Sequence, residues 1–75
     1  MSGLPVISAK ELISIIKKMG YEIDHQTGSH IILRNKQTPF RRLTIPNHKG
    51  IAKGTLRAII RESGLTLEEF LNLLK

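Results

Sequence analysis

Cysteine and tryptophan are absent from this 75-residue chain, and aromatic residues are few. Without cysteine the chain can form neither disulfides nor thiolate metal sites, so hydrophobic packing must provide its stability. The aromatic residues are Tyr21, Phe40 and Phe70. So few aromatics do not provide the stacking platform on which RNA-recognition motifs hold successive bases. Any recognition of a nucleic acid would therefore depend on its shape and its phosphates.

Acidic residues are absent from the middle of the chain. The stretch 25–61 contains eight lysines and arginines but no aspartate or glutamate, and the formal net charge is +6. A basic segment of this length is the electrostatic footprint of a protein that binds a polyanion, and nucleic acid is the first candidate. A solvated basic surface without a ligand is the alternative.

Long apolar segments are absent as well. Residues 1–9 lack the basic start and the apolar run of a signal peptide. No segment has the roughly 20 apolar residues that a transmembrane helix requires. We therefore expect a cytoplasmic protein, and the length favours one small domain spanning residues 1–75.

Capping signals and apolar periodicity predict three helices. Capping boxes, in which glutamate follows serine or threonine by three residues, precede the first and third helices at Ser8–Glu11 and Thr66–Glu69. Gly20 and Gly64 end the first and second helices, and the second begins near 52–55. The third helix is expected to bury four apolar residues, which are Leu67, Phe70, Leu71 and Leu74.

Between the first two helices the periodicity changes to two, which predicts β-strands. The predicted segments are strands at 21–26, 29–34 and 41–45, a hairpin turn at Thr27-Gly28 and a loop at 35–39. In the second strand, His30, Ile32 and Arg34 share one face. The order α-β-β-β-α-α predicts an α+β domain of two layers, a three-stranded antiparallel sheet with the helices on one face.

An ordered set of short motifs gives the chain a family resemblance. The motifs are Gly28-Ser29-His30, Ile45-Pro46-x-His48, Gly54-Thr55-Leu56 and Gly64-Leu65-Thr66. In a small basic chain this set resembles the HicA toxins, also called the YcfA-like family. The resemblance implies a fold like that of double-stranded RNA-binding domains and mRNA interferase activity in a type II toxin–antitoxin system. It also implies a HicB-type antitoxin as partner and catalysis by the strand histidine, which by position is His30.

His30 is also a candidate on chemical grounds. It begins an apolar strand directly after a Gly-Ser turn and lies within the basic segment. Cleavage of RNA without a metal needs a group that transfers protons near neutral pH, which imidazole does. A lone histidine on a strand is otherwise a hydrogen-bonded structural residue. We predict that His30 is catalytic.

The other two histidines are interpreted differently. His48 lies in a basic loop and is either a second proton-transfer group or phosphate donor, or a residue that caps its loop. His25 is predicted to share a strand face with Tyr21 and Ile23, which favours a structural role. The spacings of the histidines match no strong metal motif, so we predict neither a metal nor another cofactor.

Phosphate contacts are predicted around His30 and at the second helix. Lys53 and Arg57 are four residues apart, so they share a helical face near an N-terminus, where backbone N–H groups attract anions. Arg41, beside the sheet, is a further cation that could follow an RNA backbone. The predicted RNA-binding residues are Ser29, Arg34, Arg42, His48, Lys49, Lys53 and Arg57.

The sequence leaves two other functions open. One is a non-catalytic module that binds RNA of the double-stranded type, which would not need His30. The other is an interaction protein whose basic face docks an acidic partner. The state of an RNA after incubation with the purified protein distinguishes the nuclease from the binding module.

Overall fold

The structural elements follow one another in the order that the sequence predicts. The computed structural model describes residues 5–38 and 40–74; Pro39 of the predicted loop and both ends of the predicted domain lie outside these residues. The elements are helix α1 (Ala9–Lys17), strands β1 (Tyr21–Thr27), β2 (His30–Asn35) and β3 (Arg42–Pro46), and helices α2 (Lys53–Ser63) and α3 (Leu67–Leu74). The strands pair antiparallel in the order β1-β2-β3, so the predicted α+β class is confirmed.

The predicted helix boundaries rest on hydrogen bonds that the structure contains. The Ser8 hydroxyl accepts the backbone N–H of Glu11 at 3.1 Å, and the Glu11 carboxylate accepts the N–H of Ser8 at 3.0 Å. Thr66 and Glu69 form the same reciprocal pair at 3.1 and 2.8 Å. Gly64 ends α2 in the left-handed region, with φ +92°. None of the helices in the described residues has the length and hydrophobicity to cross a bilayer.

The helices lie on one face of the sheet. Helix α1 packs against β1 and β3, and α2 packs against β3. The side chains that meet in this layer are fully buried and include Leu12, Ile16, Leu33, Leu43 and Ile45. Along β2 and β3 these core residues alternate with exposed or half-buried ones, as the period of two predicts. The other face of the sheet therefore carries the outward-pointing side chains.

Helix α3 buries a narrower stripe than predicted. Phe70 is fully buried, but Leu67 is 43% and Leu71 37% exposed. Leu73 and Leu74 pack at the margin of the core. The prediction that Leu67 and Leu71 are buried is therefore wrong, because α3 inserts only Phe70 fully into the core.

The hairpin turn lies one residue later than predicted. Thr27 pairs with His30, so the central turn residues are Gly28 and Ser29. Gly28 has φ +53°, and Ser29 is not among the residues with positive φ. Positive φ at the first central residue alone is the pattern of a type II′ turn, which favours glycine there. Strand β2 consequently begins at His30 rather than Ser29.

Candidate functional site

The uncovered side of the sheet forms a continuous polar surface, which we call the open face. The register places these outward residues of the three strands on it: Glu22, His25, Thr27, His30, Ile32, Arg34, Arg42 and Thr44. All of them are exposed except Ile32, which is half-buried. The face has two ends, a turn end marked by His30 and an arginine end marked by Arg34 and Arg42.

His30 is the first residue of β2 and is exposed at the turn end. It lies between Thr27 of β1 and Pro46 of β3, its direct cross-strand partners. The type II′ turn before it fixes the register of the hairpin, and with it the face on which the imidazole lies. The prediction that His30 shares a strand face with Ile32 and Arg34 is confirmed.

A β-bulge changes the position of His25. Ile23 pairs with Leu33, but His25 pairs with Ile32, so Asp24 is an extra residue on β1. The extra residue reverses the alternation beyond it. His25 therefore lies on the open face, and Gln26 takes the place facing the helices. The prediction that His25 shares a face with Tyr21 and Ile23 is wrong, and the structural role argued from it loses its basis.

Asp24 and His25 form a hydrogen-bonded couple at this bulge. The imidazole Nδ1 and the carboxylate Oδ2 are 2.8 Å apart. The side chain of His25 is half exposed, and that of Asp24 about one third. The hydrogen bond from His25, aided by the charges of Arg34 and Arg42, holds the pKa of the Asp24 carboxyl below its ordinary value. Asp24 is therefore an ionised acceptor at neutral pH.

Two arginines face each other at the arginine end. Arg34 and Arg42 are direct cross-strand partners on β2 and β3. On the other side of Arg34 lies Glu22, whose carboxylate is 3.3 Å from the ammonium of Lys36. Like charges directly opposite one another destabilise a sheet. This pair therefore suits an anionic ligand better than it suits the fold.

Arg41 does not belong to the open face. Its guanidinium Nη1 donates a hydrogen bond of 3.2 Å to the backbone carbonyl of Glu62, on the helical side of the sheet. The Cβ that a larger residue would place at Gly64 would lie 3.0 Å from the same nitrogen. The suggestion that Arg41 follows an RNA backbone is not supported, because its charge is directed at the end of α2.

The basic loop 47–52 continues from the turn end. The backbone N–H of Asn47 donates to the carbonyl of Ser29 at 2.7 Å, which ties the loop to the turn before His30. The carbonyl of His48 accepts the N–H of Ala9 at 2.9 Å. The side chains of His48 and Lys49 are exposed. The backbone thus holds the loop while leaving both side chains available to a ligand.

The N-terminus of α2 has no side-chain cap. Ala52 occupies the cap position and makes no such hydrogen bond, and the first turn contains no acidic residue. Uncapped N–H groups and the positive end of the helix dipole attract an anion. Lys53 and Arg57 are exposed one turn apart on this helix, and Arg57 also lines a shallow groove between α2 and α3.

The structure brings some predicted site residues together and separates others. Ser29, His30 and His48 lie at the turn end, from which the chain continues through Lys49 to Lys53. Arg34 lies four residues from His30 along β2, about 13 Å at the usual rise of a strand. The predicted set therefore forms separate basic areas, at the turn end with its loop, on α2 and at the arginine end, rather than one compact cluster.

Metal-binding side chains do not cluster in the described residues. Residues 5–38 and 40–74 contain no group of three or more histidine, aspartate or glutamate side chains placed to hold an ion. The chemistry available on the open face is that of imidazoles, the carboxylates of Glu22 and Asp24, and guanidinium groups.

Fold and surface define a small α+β domain with an exposed strand histidine on a basic open sheet face. A family model described as the HicA toxin of bacterial toxin–antitoxin systems matches residues 9–65. The chain belongs to the HicA toxin family, so the resemblance found in the sequence is confirmed. This membership implies an antitoxin partner. A comparison with curated proteins gave no match.

Proposed function

We propose that this toxin is an mRNA interferase, an endoribonuclease that needs no metal ion and is neutralised by a HicB-type antitoxin. The observation that carries the proposal is His30, an exposed imidazole at the start of β2 on the basic open face. Family membership supplies the toxin class. The basic segment supplies the attraction for RNA, because phosphate contacts provide most of the affinity in such complexes.

The proposed reaction uses the RNA's own nucleophile. The 2′-hydroxyl loses its proton to an imidazole, and its oxygen forms a bond to the adjacent phosphorus. The bond from phosphorus to the 5′-oxygen breaks, and that oxygen gains a proton. The products are a 2′,3′-cyclic phosphate and a 5′-hydroxyl. His30 takes part in the proton transfer, and the neighbouring cations stabilise the charge that develops on the phosphoryl oxygens.

RNA contacts are assigned to all of these basic areas. They comprise Ser29, His48 and Lys49 at the turn end, Lys53 and Arg57 on α2, and Arg34 and Arg42 at the arginine end. The uncapped N-terminus of α2 and the unfavourable pairing of Arg34 with Arg42 support this assignment. Scarce aromatics favour recognition of the backbone over the stacking of bases.

A cleavage assay in EDTA tests the proposal. Purified wild-type protein should cleave RNA in the chelator, and the new 5′ ends should accept phosphate from polynucleotide kinase without prior dephosphorylation. His30→Ala should leave the RNA intact while retaining the wild-type circular dichroism spectrum. Cleavage at the wild-type rate by a folded His30→Ala protein would remove the proposed mechanism. RNA that is bound but never cut by the wild type would favour the non-catalytic binding module.

The antitoxin part of the proposal has its own test. A HicB-type protein encoded beside the toxin gene should co-purify with this chain and suppress both RNA cleavage and growth inhibition. Full RNA cleavage by the purified complex would contradict neutralisation by such a partner. Growth inhibition by His30→Ala without an antitoxin would separate toxicity from the nuclease reaction.

A further inference from the structure

The open face carries a second imidazole close to His30. His25 is opposite Ile32, and His30 lies two residues before Ile32 on the same face of β2. Residues in this diagonal relationship are about 7–8 Å apart at Cα and are within reach of long side chains. Arg34 lies two residues after Ile32, so His25 faces the interval between His30 and Arg34.

Asp24 fixes how His25 presents its ring. The carboxylate is ionised and lies 2.8 Å from Nδ1, so Nδ1 carries the hydrogen of this bond. The other nitrogen, Nε2, is then the atom that gains and loses a proton. No comparable partner contacts His30 in the described part of the chain.

We propose, on the basis of the function proposed above, that His25 is the second catalytic residue: it donates a proton to the leaving 5′-oxygen, while His30 accepts the proton of the 2′-hydroxyl. The attacking and leaving oxygens lie on opposite sides of the phosphorus in an in-line displacement, so each needs its own proton-transfer group. Two imidazoles in a diagonal pair can flank one phosphate in this way. One proton leaves O2′ and one joins O5′, so the step is balanced.

Asp24 is a positioning residue in this scheme. It contacts the imidazole rather than the RNA, and it holds the ring in one tautomer. The bulge is what makes the arrangement possible, since an unbroken β1 would turn His25 towards the helices. Other charged and titratable groups of the sheet lie near Asp24 and His25; they are Glu22, His30, Arg34, Lys36 and Arg42. On the opposite side of β1, helix α1 contributes Lys10 and Lys17.

Substrates with different leaving groups test the assignment. The wild-type protein is first used to map a cleavage site. Two RNAs are then compared: one has the ordinary 5′-oxygen as leaving atom at that site, and the other has a bridging sulfur in place of that oxygen. A thiolate leaves without protonation, so the second RNA does not need a general acid. On ordinary RNA, His25→Ala should lower the cleavage rate by about 10²–10⁴-fold. On the sulfur-containing RNA its rate should approach that of the wild type, whereas His30→Ala should stay inactive.

Two further variants separate chemistry from structure. His25→Asn places an amide N–H where Nδ1 donates to Asp24 but cannot transfer a proton, so it should behave as His25→Ala does. It also replaces the alanine variant if that protein does not fold. Asp24→Asn should reduce the rate less and alter the falling, alkaline limb of the pH–rate profile. Removal of His25 should abolish that limb.

The outcomes distinguish this assignment from the proposed function. If His25→Ala and His25→Asn cleave ordinary RNA at the wild-type rate while His30→Ala is inactive, the nuclease stands and the role of His25 is overturned. If the RNA with the bridging sulfur restores cleavage by His30→Ala but not by the His25 variants, the assignment of acid and base to the two histidines is overturned. If the His25 variants are impaired and remain so on that RNA, His25 is only a binding residue. A wild type that cleaves neither RNA overturns the proposed function itself.

Discussion

Arg41 and Glu62 are joined by a hydrogen bond of 3.2 Å from the guanidinium Nη1 to the backbone carbonyl. The carbonyl groups at the end of α2 lack helical partners and carry the negative end of the helix dipole, so a cation suits this position. The next residue, Arg42, points to the opposite side of β3 and faces Arg34. These two adjacent arginines thus serve different layers of the molecule.

This difference predicts opposite phenotypes for two alanine variants. Arg41→Ala should lower the free energy of unfolding by about 0.5–1 kcal/mol, since an exposed hydrogen bond to a helix end contributes modestly. Its affinity for RNA should change little. Arg42→Ala should leave stability within about 0.5 kcal/mol of the wild type and weaken RNA binding. Urea unfolding and filter binding at one salt concentration measure the two properties.

Each arginine variant is the control for the other, because both remove one positive charge from neighbouring positions. Equal losses of RNA affinity would show that net charge matters and position does not. A loss of stability in Arg42→Ala larger than that in Arg41→Ala would contradict the assignment of Arg41 to the fold.

Gly64 and Gly54 provide a second matched pair. Gly64 has φ +92°, and an added Cβ would lie 3.0 Å from Nη1 of Arg41. Gly64→Ala should cost about 1–2 kcal/mol of stability, chiefly because the left-handed conformation is strained for alanine. An added Cβ at Gly54 meets nothing within 4 Å. Gly54→Ala should therefore be neutral or stabilise by up to about 1 kcal/mol. Thermal unfolding of both variants measures the difference.

Local signals in the sequence were sufficient for most of the fold. Capping boxes at Ser8 and Thr66 and the stop at Gly64 depend on neighbouring residues, and the structure contains each of them. The alternation in β2 also groups His30 with Ile32 and Arg34 on one face, as the structure does. These features could be predicted because their causes lie within a few residues of one another.

The errors have non-local causes. An alternating pattern does not show where one strand gains a residue relative to its partner, so the bulge at Asp24 and the position of His25 could not be predicted. The only local signal was the adjacent pair of a carboxylate and an imidazole. The direction of the Arg41 side chain is set by Glu62 at the end of α2, 21 positions further along the chain. The residues next to Arg41 therefore do not predict it.

The Asp24–His25 couple predicts a particular acid titration. Nuclear magnetic resonance of the Asp24 carboxyl carbon should give a pKa below the ordinary value, and His25→Ala should raise it. A carboxyl group whose pKa is lower in the folded than in the unfolded protein stabilises the fold at pH values above its unfolded pKa. This stabilisation is lost as the pH falls through the folded pKa. Wild type and Asp24→Asn should therefore differ in stability at neutral pH and converge in acid. An unchanged Asp24 pKa in His25→Ala would contradict the couple.

Salt dependence should reveal the phosphate contacts of α2. Lys53 and Arg57 lie one turn apart beside an uncapped helix N-terminus. Each phosphate contact contributes about 0.7–0.9 to the slope of the logarithm of the RNA-binding constant plotted against the logarithm of the salt concentration. Lys53→Ala combined with Arg57→Ala should flatten this slope by roughly 1–2 units with little change in sequence preference. The double variant should keep its cleavage rate at saturating RNA, because His30 is unaltered.

The matched control for that measurement is Lys17→Ala combined with Lys18→Ala. It removes the same formal charge from the end of α1 instead of from α2. Its slope should stay close to that of the wild type, because lysines that contact no phosphate release no counterions. Equal flattening in both double variants would indicate a general charge effect. An unchanged slope in the α2 variant would place the RNA along Arg34 and Arg42, at the arginine end of the open face.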